Sequence, residues 1–171
     1  MAYYSLNPPV TTRLNTKFSP LLVNTESPKD FRKHVEFFAR CFKRELQFDF
    51  VQFDASESPR SPYYTPYEAH LFHEHAMDLV RYVGEPAKHR SIGACCFRRD
   101  KTASQGAEWS LQWVWFHPYF RQRGHLSMAW PSFREWYGEF TVDPPLSLAM
   151  KAFLAKQERL GVVKASSQGV R

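Results

Sequence analysis

The sequence predicts a single-domain α/β protein, layered in the α+β manner, with helices on both faces of one sheet. Two observations predict it. Apolar residues recur at helical spacing in separate segments, and short aromatic or branched runs bounded by turn residues lie between them. A length of 171 residues suits one domain, and a hydrophobic share of 43% with 16% aromatics suffices for a packed core.

The elements follow in order. Residues 1–16 carry Pro8-Pro9 and read as a loose arm, and Phe18–Val23 as a first strand. Ser27-Pro28 with Asp30 reads as a helix start, Ser27 as N-cap and Pro28 at the first position. Phe31, Val35, Phe38 and Phe42 then form one apolar stripe, so a helix is expected near 28–45. Thr65-Pro66-Tyr67-Glu68 has the form of a capping box and predicts a short helix near 66–75. Met77–Gly84 and Arg90–Arg98 read as strands joined by a turn over Glu85–His89. Lys101–Gly106 is a polar connection.

Glu108–Phe116 is the strongest strand, rich in aromatic and branched residues and stopped by His117-Pro118. His125–Tyr137 reads as a helix with Pro131 inside it and Gly138 as its stop. Phe140–Val142 is a short strand, and Pro145–Gln157 the last helix. The domain is therefore expected over 17–157, with a polar tail over 158–171.

Composition narrows the setting. No run nears the roughly 18 apolar residues needed to cross a bilayer. The first residues lack the basic start and apolar stretch of a signal peptide, so a cytoplasmic location is expected. Cys41, Cys95 and Cys96 make no disulfide framework and are expected to be buried, Cys95 and Cys96 on opposite faces of a strand. The net charge of +6 attracts anions in general, such as cofactor phosphates, nucleic acid or an acidic protein. His70, His73 and His75 beside Glu74 are expected to be an exposed polar segment, and no metal site is assigned to them.

The distinctive local feature is a strong strand, a proline, a basic turn with one glycine, and a helix. A helix N-terminus presents unpaired N–H groups and partial positive charge, which suit a phosphate. Arg121 and Arg123 add charge there, and Gly124 permits close approach.

The run Phe116-His-Pro118-Tyr-Phe-Arg121-Gln-Arg-Gly124-His-Leu126 resembles the acyl-CoA motif of the GNAT superfamily of N-acetyltransferases. Phe116, Pro118, Arg121 and Gly124 match that motif in register, while Leu126 stands where it usually has Gly or Ala. Ile92-Gly93-Ala94 resembles the third strand of that fold. The resemblance covers about residues 18–157 and is specific over Trp113–Leu126. Trp113-Val-Trp-Phe, Tyr137-Gly138 and Phe140-Thr-Val-Asp143-Pro144-Pro145 are also similar to the cohesin-acetyltransferase branch, without its zinc finger; this supports the superfamily, not that substrate.

The resemblance implies a central mixed, mostly antiparallel sheet splayed at the cofactor site. It implies acetyl-CoA as co-substrate, held by Val114, Trp115, Phe116, Arg121, Gln122, Arg123, Gly124, His125 and Leu126. It further implies transfer to a primary amine by direct attack. The amine must lose a proton, so a base or water relay helps, and strand N–H groups near Val114–Phe116 can stabilise the oxyanion. Asp143 is a candidate base, and Glu108 and Gln112 on the central strand are others, Glu108 being the better base of those two. The Asn-x-x-Ala…Tyr pattern that often supplies the proton to the departing thiolate is absent, which leaves Ser147 as the nearest hydroxyl. For Asp143 and Ser147 the competing reading is helix capping. The acceptor stays open among protein amines, aminoacyl-tRNA, polyamines and antibiotics; the basic N-terminal third mildly favours an acidic one. The alternative function is a non-catalytic GNAT-like module contacting nucleic acid or a protein through its basic face. A homodimer would be one use of the aromatic surplus.

Overall fold

The computed structural model describes residues 7–14, 19–99 and 108–168, residues 162–168 by backbone alone. The expected start of the first strand at Phe18, the connection Lys101–Gly106 and the last three residues of the tail lie outside them. The order is β1 (Val10–Thr11), β2 (Leu21–Val23), α1 (Lys29–Leu46), β3 (Tyr67–His75), β4 (His89–Arg99), β5 (Trp109–Phe116), α2 (His125–Tyr137), β6 (Thr141–Val142) and α3 (Leu148–Gln168). The sheet runs β2-β3-β4-β5-β6, with β1 pairing β4. Its pairs are antiparallel except β5 with β6, which is parallel, so the sheet is mixed and mostly antiparallel.

Two apolar layers sandwich that sheet. On one face Phe31, Val35, Phe38 and Phe42 of α1 pack on Ala69, Leu71, Ala94, Cys96, Trp113 and Trp115. On the other, Trp130, Phe133 and Tyr137 of α2 and Met150 of α3 pack on Phe72, Ile92, Cys95, Phe97 and Leu111. Cys95 and Cys96 thus point to opposite layers, both wholly buried. Burial pushes both thiols up, that of Cys96 to about 12.

Several elements differ from expectation, each for a physical reason. Segment 67–75 is a strand, not a helix. Helices cover both its faces, so it carries no one-sided helical stripe, and Glu68 accepts from the Tyr137 hydroxyl at 2.7 Å instead of capping a helix. Residues 77–84 are not a strand. Because β3 pairs directly with β4, residues 76–88 form the hairpin loop, which holds a single 3₁₀ turn at Met77–Leu79 and leaves Tyr82 and Val83 exposed. The arm is pinned at Val10–Thr11, opposite Arg90 and His89. α1 starts one residue late because the Ser27 hydroxyl accepts from the Asn24 N–H at 3.0 Å. α3 starts at Leu148 and runs on to Gln168, through most of the expected tail.

The histidines are not an exposed segment either. His70 and His73 are buried, and only His75 is exposed. The His75 and His89 rings lie 4.3 Å apart between centroids. Among the described residues no group of three His, Cys, Asp or Glu is placed to hold a metal ion. No helix among them is long and apolar enough to cross a membrane.

His70 Nε2 lies 2.6 Å from the Tyr137 hydroxyl, while its Nδ1 is buried without a partner. Burial pushes its pKa down to about 3 from 6.5, so the folded ring is neutral. Between those two values the unfolded chain binds the extra proton. Stability is therefore complete above about pH 6.5 and falls as pH drops, at up to about 1.4 kcal/mol per pH unit for this group. Burial shifts His34, His89 and His125 the same way. Urea unfolding at about pH 7.5 and about pH 5 is expected to show this loss, with a shallower slope in His70→Gln.

Candidate functional site

The sheet opens where β6 ends. β5 and β6 pair only at Ser110–Leu111 against Thr141–Val142, and the Asp143 N–H closes the ladder on the Leu111 carbonyl at 2.9 Å. The chain then turns away through Pro144-Pro145 into α3, while β5 continues to Phe116. In that gap lies a cavity of about 400 Å³, within the range of small-molecule sites. It is lined from both sides of the sheet, by Phe42 and Leu46 of α1 and by Phe120, Met150 and Phe153.

A β-bulge shapes its edge. Leu111 faces Phe97 and Trp113 faces Cys96, so Gln112 is the extra residue. Its amide donates to the Asp143 carboxylate and, at 2.8 Å, to the Ser110 hydroxyl. Beyond the bulge the His117 N–H donates to the Ile92 carbonyl at 2.9 Å, which directs it toward β4. Alternation along the strand then turns the N–H and C=O of Val114 and Phe116 toward the side that β6 vacates.

The turn after β5 ends on α2. The His117 ring accepts from the Tyr119 N–H at 3.2 Å and opens a 3₁₀ turn over Pro118–Phe120. Gln122 and Gly124 take positive φ, 60° and 81°, which aims the chain into the helix. No side chain caps α2, and the first helical bond runs from the Met128 N–H to the Gly124 carbonyl at 2.9 Å. The N–H groups of His125, Leu126 and Ser127 belong to the unpaired first turn, and all three residues line the cavity. A Cβ on Gly124 would meet nothing within 4 Å.

All nine residues expected to bind the co-substrate line this cavity, as do Asp143 and Ser147. Their side chains differ in role. Arg123 is exposed, its guanidinium 5.1 Å from the Phe120 ring centroid. Leu126 is half-buried and packs against the core while also lining the cavity. The His125 ring stacks on Phe116 at 6.0 Å, its Nε2 is buried without a partner, and burial lowers its pKa, Arg123 adding to the shift and Glu74 opposing it.

Arg121 departs from expectation: its charge is committed within the protein. Nε donates to the Phe116 carbonyl at 2.8 Å, and the two terminal nitrogens donate to the two Glu45 oxygens at 2.9 and 2.6 Å. Ser147 does cap a helix, its hydroxyl accepting from the Met150 N–H at 3.1 Å, although its own proton stays available to donate. Glu108 is brought nowhere near the others. It sits before the first residue of β5, exposed and paired with Arg99, and is not among the residues that line the cavity.

Of the residues that shape the site, Glu45 was not anticipated, whereas Gln112 was a candidate base and instead steadies Asp143. Glu45 left a faint signal in the sequence: an acid in the last turn of a helix opposes the helix dipole and needs a compensating partner. Burial works to raise its pKa, but hydrogen bonds from Arg121 and Trp115 prevail and hold it below the usual range. Compared with known proteins, the chain matches no family model and no curated protein.

Proposed function

We propose that the chain is an acyl-CoA-dependent N-acetyltransferase of the GNAT superfamily. One observation carries the reading: the cleft where β5 outruns β6 ends on the uncapped, glycine-led N-terminus of α2. The diphosphate of acetyl-CoA fits amides of that kind, with Arg123 as an exposed cation beside them, paired with no carboxylate among the described residues. The thioester arm would lie along the open edge of β5, where Val114 offers an N–H and a C=O.

The chemistry asks little more of the chain. The amine nitrogen attacks the thioester carbon, the N–C bond forms, and the C–S bond breaks. Edge N–H groups meet the charge that develops on the carbonyl oxygen. Asp143, steadied by Gln112, takes the proton the amine loses, and the Ser147 hydroxyl gives one to the departing thiolate. Glu108, paired with Arg99 and outside the cavity lining, is given no part. A protein or RNA amine near acidic groups suits the chain's +6 charge.

The test is calorimetry and thermal unfolding with acetyl-CoA, followed by radiolabelled acetyl transfer to protein, tRNA and polyamine acceptors. At a hundred times Kd the ligand should add about 2.7 kcal/mol, a rise in Tm of roughly 5–10 °C for a chain of this size. No shift with acetyl-CoA, alongside retention of labelled nucleic acid, would favour the non-catalytic binding module instead.

A further inference from the structure

We propose that Glu45 is a positioning residue of the donor site: it fixes the turn before α2 through Arg121 and Trp115, leaving Arg123 and the α2 amides to meet the diphosphate. This rests on the acyl-CoA reading of the cleft. The Glu45 carboxylate collects three N–H donors, two from Arg121 and the Trp115 Nε1–H at 2.7 Å. The Arg121 guanidinium also stands 5.2 Å from the Trp115 ring centroid. With Nε on the Phe116 carbonyl, each of its nitrogens is engaged and one face is covered. Three pieces of chain meet there: the last turn of α1, the end of β5, and the turn that leads into α2.

The geometry decides between two roles for Arg121. Contact with a phosphate would require it to leave a bidentate carboxylate fork, a strong and directional pairing. That move would leave the Glu45 charge with the Trp115 N–H alone, in a site where burial already penalises it. Arg123 faces no such cost. The clamp therefore holds the cradle, and a neighbour binds.

The experiment compares two ligands on the full chain by calorimetry: acetyl-CoA, and acetyl-pantetheine, which has the same thioester arm without the diphosphate. Glu45→Gln and Arg123→Ala are each expected to weaken acetyl-CoA about tenfold or more and to leave acetyl-pantetheine within about twofold. Glu45→Asp should recover part of the loss. Tighter acetyl-CoA binding by Glu45→Gln would overturn the proposal, because Glu45 would then be competing with the ligand for Arg121. Equal losses for both ligands would also overturn it, leaving only a general structural effect.

If the wild-type chain binds neither ligand, the acyl-CoA reading fails and the donor-site role fails with it. The clamp is then judged alone, by a double-mutant cycle of Glu45→Gln and Arg121→Gln in urea. Coupling between the two supports a Glu45–Arg121 clamp, and additive effects overturn it.

Discussion

Gly124→Glu is expected to abolish acetyl-CoA binding while leaving the protein folded. At φ 81° a non-glycine residue bears backbone strain of order 1 kcal/mol. A Cβ there meets no atom within 4 Å, so the new side chain enters open space instead of the core. Its carboxylate would sit beside the free amides of α2, an arrangement the helix dipole favours. It would thus offset part of the strain and take the place expected for the diphosphate. Calorimetry should register an affinity loss of about a hundredfold or more, with Tm changed by only a few degrees. Gly124→Ala adds the strain without the charge and should retain most binding. Unchanged affinity in the glutamate variant would mean that the N-terminus of α2 does not hold the diphosphate.

Gly93→Ala should have the largest effect on stability. The added Cβ would stand 2.4 Å from Phe116 Cδ1 and 2.7 Å from the Trp115 carbonyl oxygen. The ring can shift, but a carbonyl within the β4–β5 ladder cannot move without parting the strands. Overpacking of this kind costs about 1–3 kcal/mol or more, roughly 2–4 °C of Tm for each kcal/mol. The strand displaced is the one that carries the Val114 edge, so acetyl-CoA affinity should fall together with stability. Urea unfolding and calorimetry on the same sample check both. A variant as stable as the parent would mean that the two strands have slack at this point.

β5 and α2 were legible because their signals are local. An aromatic run, a His-Pro stop and a glycine before an apolar helical pattern occupy adjacent positions, and the turn between them is read from the same stretch. β3 was not legible: covered by helices on both faces, it lacks alternation, and Thr65-Pro66-Tyr67-Glu68 imitates a helix start. The apolar residues of the β3–β4 loop imitate a strand but stay exposed, because β3 and β4 already satisfy each other. The site divides the same way. Gly124 and Arg123 can be found from the turn alone, whereas the partner of Arg121 lies 76 residues away on α1, and only folding reveals that this arginine is occupied. Glu108 drew notice through its neighbours in sequence, yet it lies outside the cavity lining and pairs with Arg99.

The cavity that reaches through the gap in the sheet bears on the order of events. The lining comes from α1 on one side and from α2 and α3 on the other, and under the proposed acetyl transfer donor and acceptor would meet between them at the free edge of β5. Under that reading neither would have to depart before the other arrives. Initial-rate lines at several fixed acceptor concentrations would then intersect, as a ternary complex requires, and would not run parallel.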